Sequence, residues 1–172
     1  MRETNEMFKL GEAVFLEGVK KLVEYHIDEP NFIFRRGQLI IKKRLAVVEF
    51  LNGLELILKA TMLRNGYSIY KTRTNKIFKL EDRVRETINE ERTIEIDQVV
   101  AFFRRNHPKL PFAGVDELRK LRNQIVHKGT GIDEKKRSYF VDAINCLVGV
   151  YALEHLNHKS FLKSIQAATT RF

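Results

Sequence analysis

The stretch from about Gln38 to Arg64 is apolar on nearly every side of a helix. Leu39, Ile40, Ile41, Leu45, Val47, Val48, Phe50, Leu51, Leu54, Leu56, Ile57, Leu58, Met62 and Leu63 fall all round the helical wheel. Such a helix cannot lie on the surface and must be surrounded by other elements. The spacing therefore predicts an all-α bundle with this helix at its centre. One narrow polar stripe remains. At 100° per residue, Arg44, Asn52, Glu55 and Lys59 lie within about 80° of one another. Gly66 ends the helix.

Periodicity supplies the surrounding elements. Phe8, Phe15, Leu16, Val19, Leu22 and Val23 recur at helical spacing, which predicts a helix from about Glu3 to Ile27, broken by Asp28-Glu29-Pro30-Asn31. Ile77 to Ile88 reads as a short helix. Thr93-Ile94-Glu95-Ile96 alternates like a strand, but four residues without a partner make a poor one, so a loop leading to an N-cap at Asp97 is expected. A helix follows to about Asn106, and Pro108 and Pro111 punctuate a loop. A strong helix runs from about Gly114 to Val126, closed by Gly129 and Gly131. Asp133 caps the next, which continues to about Asn157, and Ser160 to Thr169 forms a last amphipathic turn or two. The expectation is one domain over residues 1–172, a bundle of about five helices, without repeats or a domain boundary.

Composition narrows the function classes. Lys and Arg number 31 against 22 Asp and Glu, a net charge of +9. A basic surface attracts polyanions, and nucleic acid is the commonest. Cys146 is the single cysteine, so no intrachain disulfide can form, and its apolar surroundings suggest a small buried hydrophobe in a reducing cytoplasm. The N-terminal residues carry no signal-peptide pattern, and no apolar run approaches the roughly 20 residues of a membrane span. Neither a phosphate-binding glycine loop nor a clear paired-carboxylate site is visible, and no cofactor or metal is expected.

The most informative stretch is Leu118-Arg119-Lys120-Leu121-Arg122-Asn123-Gln124-Ile125-Val126-His127. With Leu118 at 0°, Leu121, Ile125, Val115 and Val126 form an apolar stripe, and Arg122 falls inside it, near about 40°. A buried Arg is costly unless paired. Three readings stand open: pairing with a core carboxylate such as Glu55, snorkelling to solvent, or a functional site, where conflicts between pattern and residue type concentrate. His127 is the i+4 neighbour of Asn123, which is placed to orient the imidazole. His127 also lies at a helix C-terminus, where the dipole favours imidazolium. Arg122 and His127 diverge by about 140°. Either the helix end unwinds, or two chains pool their residues in one groove. Arginines and histidines so assembled suit RNA cleavage without metal: a base takes the 2′-hydroxyl proton, and an Arg fork stabilises the phosphorane.

Arg122-Asn123-x-x-x-His127, preceded by leucines and followed by Lys-Gly, resembles the Arg-x4–6-His motif of the HEPN superfamily, the higher eukaryote and prokaryote nucleotide-binding domains. Phe50 to Ala60, with its Glu55-x-x-x-Lys59 pair, resembles the central helix of those domains. The match spans about Gln38 to Tyr151. The resemblance implies a helical bundle that forms a homodimer with a composite site, and in many members a metal-independent RNase used in toxin–antitoxin, antiphage and CRISPR-associated systems. It makes Arg122 and His127 catalytic, with Asn123 and Glu55 supporting. Other members of that superfamily serve as non-catalytic binding or scaffolding modules. The sequence departs from some toxin members at Gly129, where they carry a Tyr that a nucleotidyltransferase-type antitoxin modifies.

Further basic residues are candidate RNA contacts: Arg119, Lys120 and Lys128 on the motif helix, and Arg104 and Arg105 farther upstream. Arg104-Arg105-Asn106-His107-Pro108 reads as a solvated basic loop that can touch phosphate. His155-x-x-His158 can put two imidazoles on one helix face, but two ligands make no zinc site, so a surface role is expected. Tyr67, Tyr70, Lys71, Arg73 and Lys76 mix aromatic and basic types, as a single-strand binder does. An exposed loop is the simpler expectation there.

Overall fold

The computed structural model describes residues 2–27, 36–72, 76–82, 88–128 and 137–170. The fold is all-α, with six helices and one two-stranded sheet among the described residues. In chain order the elements are α1 (Arg2–Ile27), α2 (Arg36–Arg64), β1 (Tyr70–Thr72), β2 (Ile88–Thr93), α3 (Ile96–Asn106), α4 (Ala113–Lys128), α5 (Arg137–Leu153) and α6 (Lys159–Thr169).

The central helix is α2. Ala46, Val47, Phe50, Leu51, Leu54, Ile57, Leu58, Ala60 and Met62 are buried on it. Leu45 is 53% exposed, and Val48, Leu56 and Leu63 are half-buried. α1 runs antiparallel to it at very close range. A Cβ on Gly18 would stand 2.5 Å from the Phe50 nitrogen, and one on Gly53 would collide with the Phe15 backbone. Only glycine lets the two backbones approach so far. Rings then fill the space beside the crossing: Phe15 and Phe50 lie 4.4 Å apart, and Phe50 meets Phe140 of α5 edge-on at 5.4 Å. Phe161 of α6 and Tyr151 of α5 extend the same cluster.

Several local expectations are corrected. No helix spans Ile77 to Ile88. Tyr67 bridges Lys79 in antiparallel fashion, Leu80–Asp82 make one 3-10 turn, and Ile88 lies in β2. Ser68 donates its N–H to the Phe78 carbonyl and Leu80 donates to Gly66. Those cross-chain bonds occupy groups a helix would need. Of Thr93 to Ile96 only Thr93 is strand, the last residue of β2, which begins at Ile88 and pairs with Tyr70–Thr72; Ile94 and Glu95 form the expected link into α3.

Asp97 is not the N-cap of α3. Glu95 caps it, with its N–H donated to Gln98 Oε1 at 3.1 Å, and Asp97 sits in the first turn. α5 ends at Leu153 rather than near Asn157. Leu156 N–H bonds the Tyr151 carbonyl and His155 takes φ 50°, so a left-handed residue closes the helix as a glycine normally would. His155 and His158 therefore do not share a helix. Gly129, Gly131 and Asp133 lie outside the described residues.

Candidate functional site

α4 buries Val115, Leu118, Leu121 and Ile125 against the bundle, whereas Val126, expected on that stripe, is 59% exposed. Arg122 remains on the inward side and is half-buried. It opens into a cleft of about 270 Å³ lined by Glu55 of α2, Glu95, Ile96 and Asp97 at the start of α3, and Arg119, Arg122 and Asn123 of α4. Four residues singled out from sequence are thus brought together: Arg122, Asn123, Glu55 and Arg119.

The charges in this cleft are matched one against another. Lys59, 6% exposed, donates to Glu55 Oε1 at 2.6 Å and to Thr93 Oγ1 at 2.9 Å. Lys71 holds Glu95 at 2.7 Å, and this hydrogen bond, then the lysine's charge, keeps the Glu95 carboxyl below its usual range. Arg119 Nε lies 3.0 Å from Asp97 Oδ1, and its Nη1 lies 3.7 Å from Asp116 Oδ1. Each lining carboxylate therefore has a cation. Glu55 does not pair with Arg122, because Lys59, one helical turn along α2, takes it instead. Arg122 Nε is buried without a hydrogen-bond partner among the described residues. Its guanidinium is the one uncompensated charge of the cleft among those residues.

His127 is in α4, one turn beyond Asn123. Its side chain and that of Lys128 lie outside the described residues. Asn123 is exposed, on the side of α4 facing the cleft. The remaining basic candidates separate. Lys120 is held by Glu117 at 2.6 Å, which raises the lysine's pKa. Arg104 pairs with Asp116 and stands over the Phe112 ring at 5.8 Å. Arg105 faces a different cavity.

His107 is not in a solvated loop. It ends α3, stacks on Phe103 and sits 2.6 Å from Glu154 Oε1. His158 is likewise engaged, with Nδ1 2.6 Å from Glu12 Oε1 and its ring against Phe8. Among the described residues no group of three or more His, Cys, Asp or Glu is placed to hold a metal ion, and no helix is long and apolar enough to cross a membrane.

Sequence reasoning missed Glu95 and Asp97 as cleft residues. Glu is not a favoured N-cap, so the signal at that position pointed to Asp97. With the cap moved back to Glu95, the Asp97 carboxylate is released to hold Arg119. Set against models of known protein families, against characterised proteins and against solved structures, the chain finds no significant match.

Proposed function

We propose that the chain is a metal-independent endoribonuclease of the HEPN type, acting as a homodimer in a toxin or defence setting in the cytoplasm. The observation that carries this reading is Arg122: a half-buried guanidinium whose Nε is unbonded among the described residues, on a cleft whose carboxylates are already neutralised. A buried donor left unpaired costs about 1–3 kcal/mol. A phosphate oxygen that develops charge in a transition state is the partner that would offset this cost.

In the proposed reaction a 2′-hydroxyl attacks the adjacent phosphorus. The 2′-oxygen–phosphorus bond forms and the phosphorus–5′-oxygen bond breaks. His127 takes the 2′ proton, and the His127 of a second copy gives a proton to the departing 5′-oxygen. Arg122 holds the non-bridging oxygens, and Asn123 orients the imidazole one turn away. The products are a 2′,3′-cyclic phosphate and a 5′-hydroxyl. Val126, exposed beside His127, is an apolar residue that the second copy would cover. Gly129 leaves no tyrosine for an antitoxin of the nucleotidyltransferase type to modify, so any such partner acts by another contact.

A second reading has its own observation. Glu55, Glu95 and Asp97 all line the cleft, and Arg119 is already occupied. A phosphate has one guanidinium to meet there, which also fits a non-catalytic module that binds RNA or protein elsewhere. Incubating purified protein with single-stranded RNA in EDTA separates the two. The nuclease reading expects cyclic-phosphate and 5′-hydroxyl ends, lost by about 10²- to 10⁴-fold in a folded His127→Ala variant. Light scattering should give the mass of a dimer. Intact RNA across a broad panel overturns the nuclease reading.

A further inference from the structure

A second cavity, of about 590 Å³, runs along one face of α3. Gln98, Ala101, Phe102, Arg105 and Asn106 of that helix line it, together with Tyr67, Lys76 and Ile77 from the segment between α2 and β2. It shares no lining residue with the Arg122 cleft. Its size is that of a small-molecule pocket. Two features fix what it can take.

The first is aromatic. Tyr67 and Phe102 meet edge to face, with ring centroids 4.7 Å apart and planes at 66°. Both rings are only half-buried. An edge-to-face pair leaves ring faces unstacked, and a planar heterocycle gains by covering one. The second is electrostatic. Lys76 and Arg105 are both exposed, and neither has an ion-pair partner among the described residues. That sets them apart from Lys59, Lys71, Arg104, Arg119 and Lys120, each of which is held by a carboxylate. Two cations without counterions among the described residues, beside two partly open rings, match an anion joined to an aromatic base.

We propose that this cavity binds one unpaired nucleotide of a single-stranded polynucleotide, its base against Tyr67 and Phe102 and its phosphate on Lys76 and Arg105. The site does not depend on cleavage elsewhere, because stacking and charge alone make it. A paired base is excluded, since both its faces are covered inside a duplex. Sequence preference is expected to be weak, as every base has a π-face.

The test is fluorescence anisotropy in EDTA, using single strands of about ten nucleotides, as RNA and as DNA, beside a blunt duplex and AMP. The DNA strand has no 2′-hydroxyl, so its binding cannot be confused with cleavage. Both single strands should bind more tightly than the duplex. Lys76→Ala combined with Arg105→Ala should weaken binding about 10-fold and flatten the salt dependence by about 0.7 to 1.4 in log–log slope. Tyr67→Ala, checked by a melting curve, should also cost about 10-fold, and Tyr67→Phe should retain affinity. The proposal is overturned if folded Tyr67→Ala and the double variant bind as wild type does. It is also overturned if the duplex binds as well as the single strand. AMP binding as tightly as the strand, with the same residue dependence, would overturn the strand and leave a free nucleotide as the ligand. If RNA is never cut but these results hold, the nuclease reading fails alone.

Discussion

Arg119 Nε rests 3.0 Å from Asp97 Oδ1, whereas Arg122, one turn farther along the same helix, lines the same cleft with its Nε buried and unbonded among the described residues. The two arginines are therefore different chemical objects. Arg119 ties α4 to the start of α3. Removing it should loosen that junction, and removing Arg122 should not.

Lys59 is the buried partner of Glu55, and Thr93 Oγ1 accepts a second hydrogen bond from its ammonium. Truncating one member of a buried pair leaves the other charge uncompensated. Lys59→Met should lower stability by about 3 kcal/mol in urea unfolding. Lys59→Met with Glu55→Leu should recover most of that loss. Equal losses in the single and double variants would show that the Glu55 charge left behind is not the source of the loss.

The α1–α2 crossing makes a prediction opposite to helix propensity. Alanine favours a helix over glycine by about 1 kcal/mol. At Gly53 the added Cβ would meet the Phe15 backbone, which cannot swing aside as a side chain can. Gly53→Ala should destabilise by a net 1–3 kcal/mol or so. A rise in melting temperature would mean the helices are farther apart than described.

Cys146 and Tyr151 give the protein an alkaline weakness. Burial pushes the Cys146 thiol up to about 12 from an ordinary 9.0. The Tyr151 hydroxyl donates to Glu12 Oε1 at 2.8 Å, and its pKa is also raised, by burial first and then by the Glu12 charge. Once pH exceeds the unfolded values, the unfolded chain releases protons that the folded chain keeps. Stability therefore falls as pH rises from about 9, by up to about 1.4 kcal/mol per pH unit for each group. Urea midpoints measured from about pH 8 to about pH 10.5 should drop, and more shallowly in Cys146→Ala. An unchanged slope in that variant would mean the thiol is not buried.

The sequence makes the helices legible because their signal is local. Phe50, Leu54, Ile57 and Leu58 announce a buried helix by spacing alone. Arg122 is legible for the same reason, as a charge that breaks a local pattern. What escapes is set by distant partners. Tyr70–Thr72 becomes a strand only because Ile88–Thr93 comes back beside it. His107 leaves solvent because Glu154, far along the chain, reaches it. Tyr67, Lys76 and Arg105 carry suggestive chemistry separately, but nothing local says that they share a cavity. His155 takes a left-handed turn where glycine would have been the sign.

Under the proposed function Arg122 is held for chemistry at some expense in stability, and Arg122→Met separates the two. Methionine keeps much of the volume and removes the buried unpaired donor. Melting temperature and RNA cleavage in EDTA should be measured on the same preparation, with Arg122→Lys alongside. Arg122→Met should melt at or above wild type, by up to about 1 kcal/mol or roughly 2–4 °C. Cleavage should fall about 10²-fold or more, with poor rescue by lysine, which lacks the planar fork. A variant that melts well below wild type would make Arg122 a structural residue, and one that cuts RNA at the wild-type rate would place the activity elsewhere.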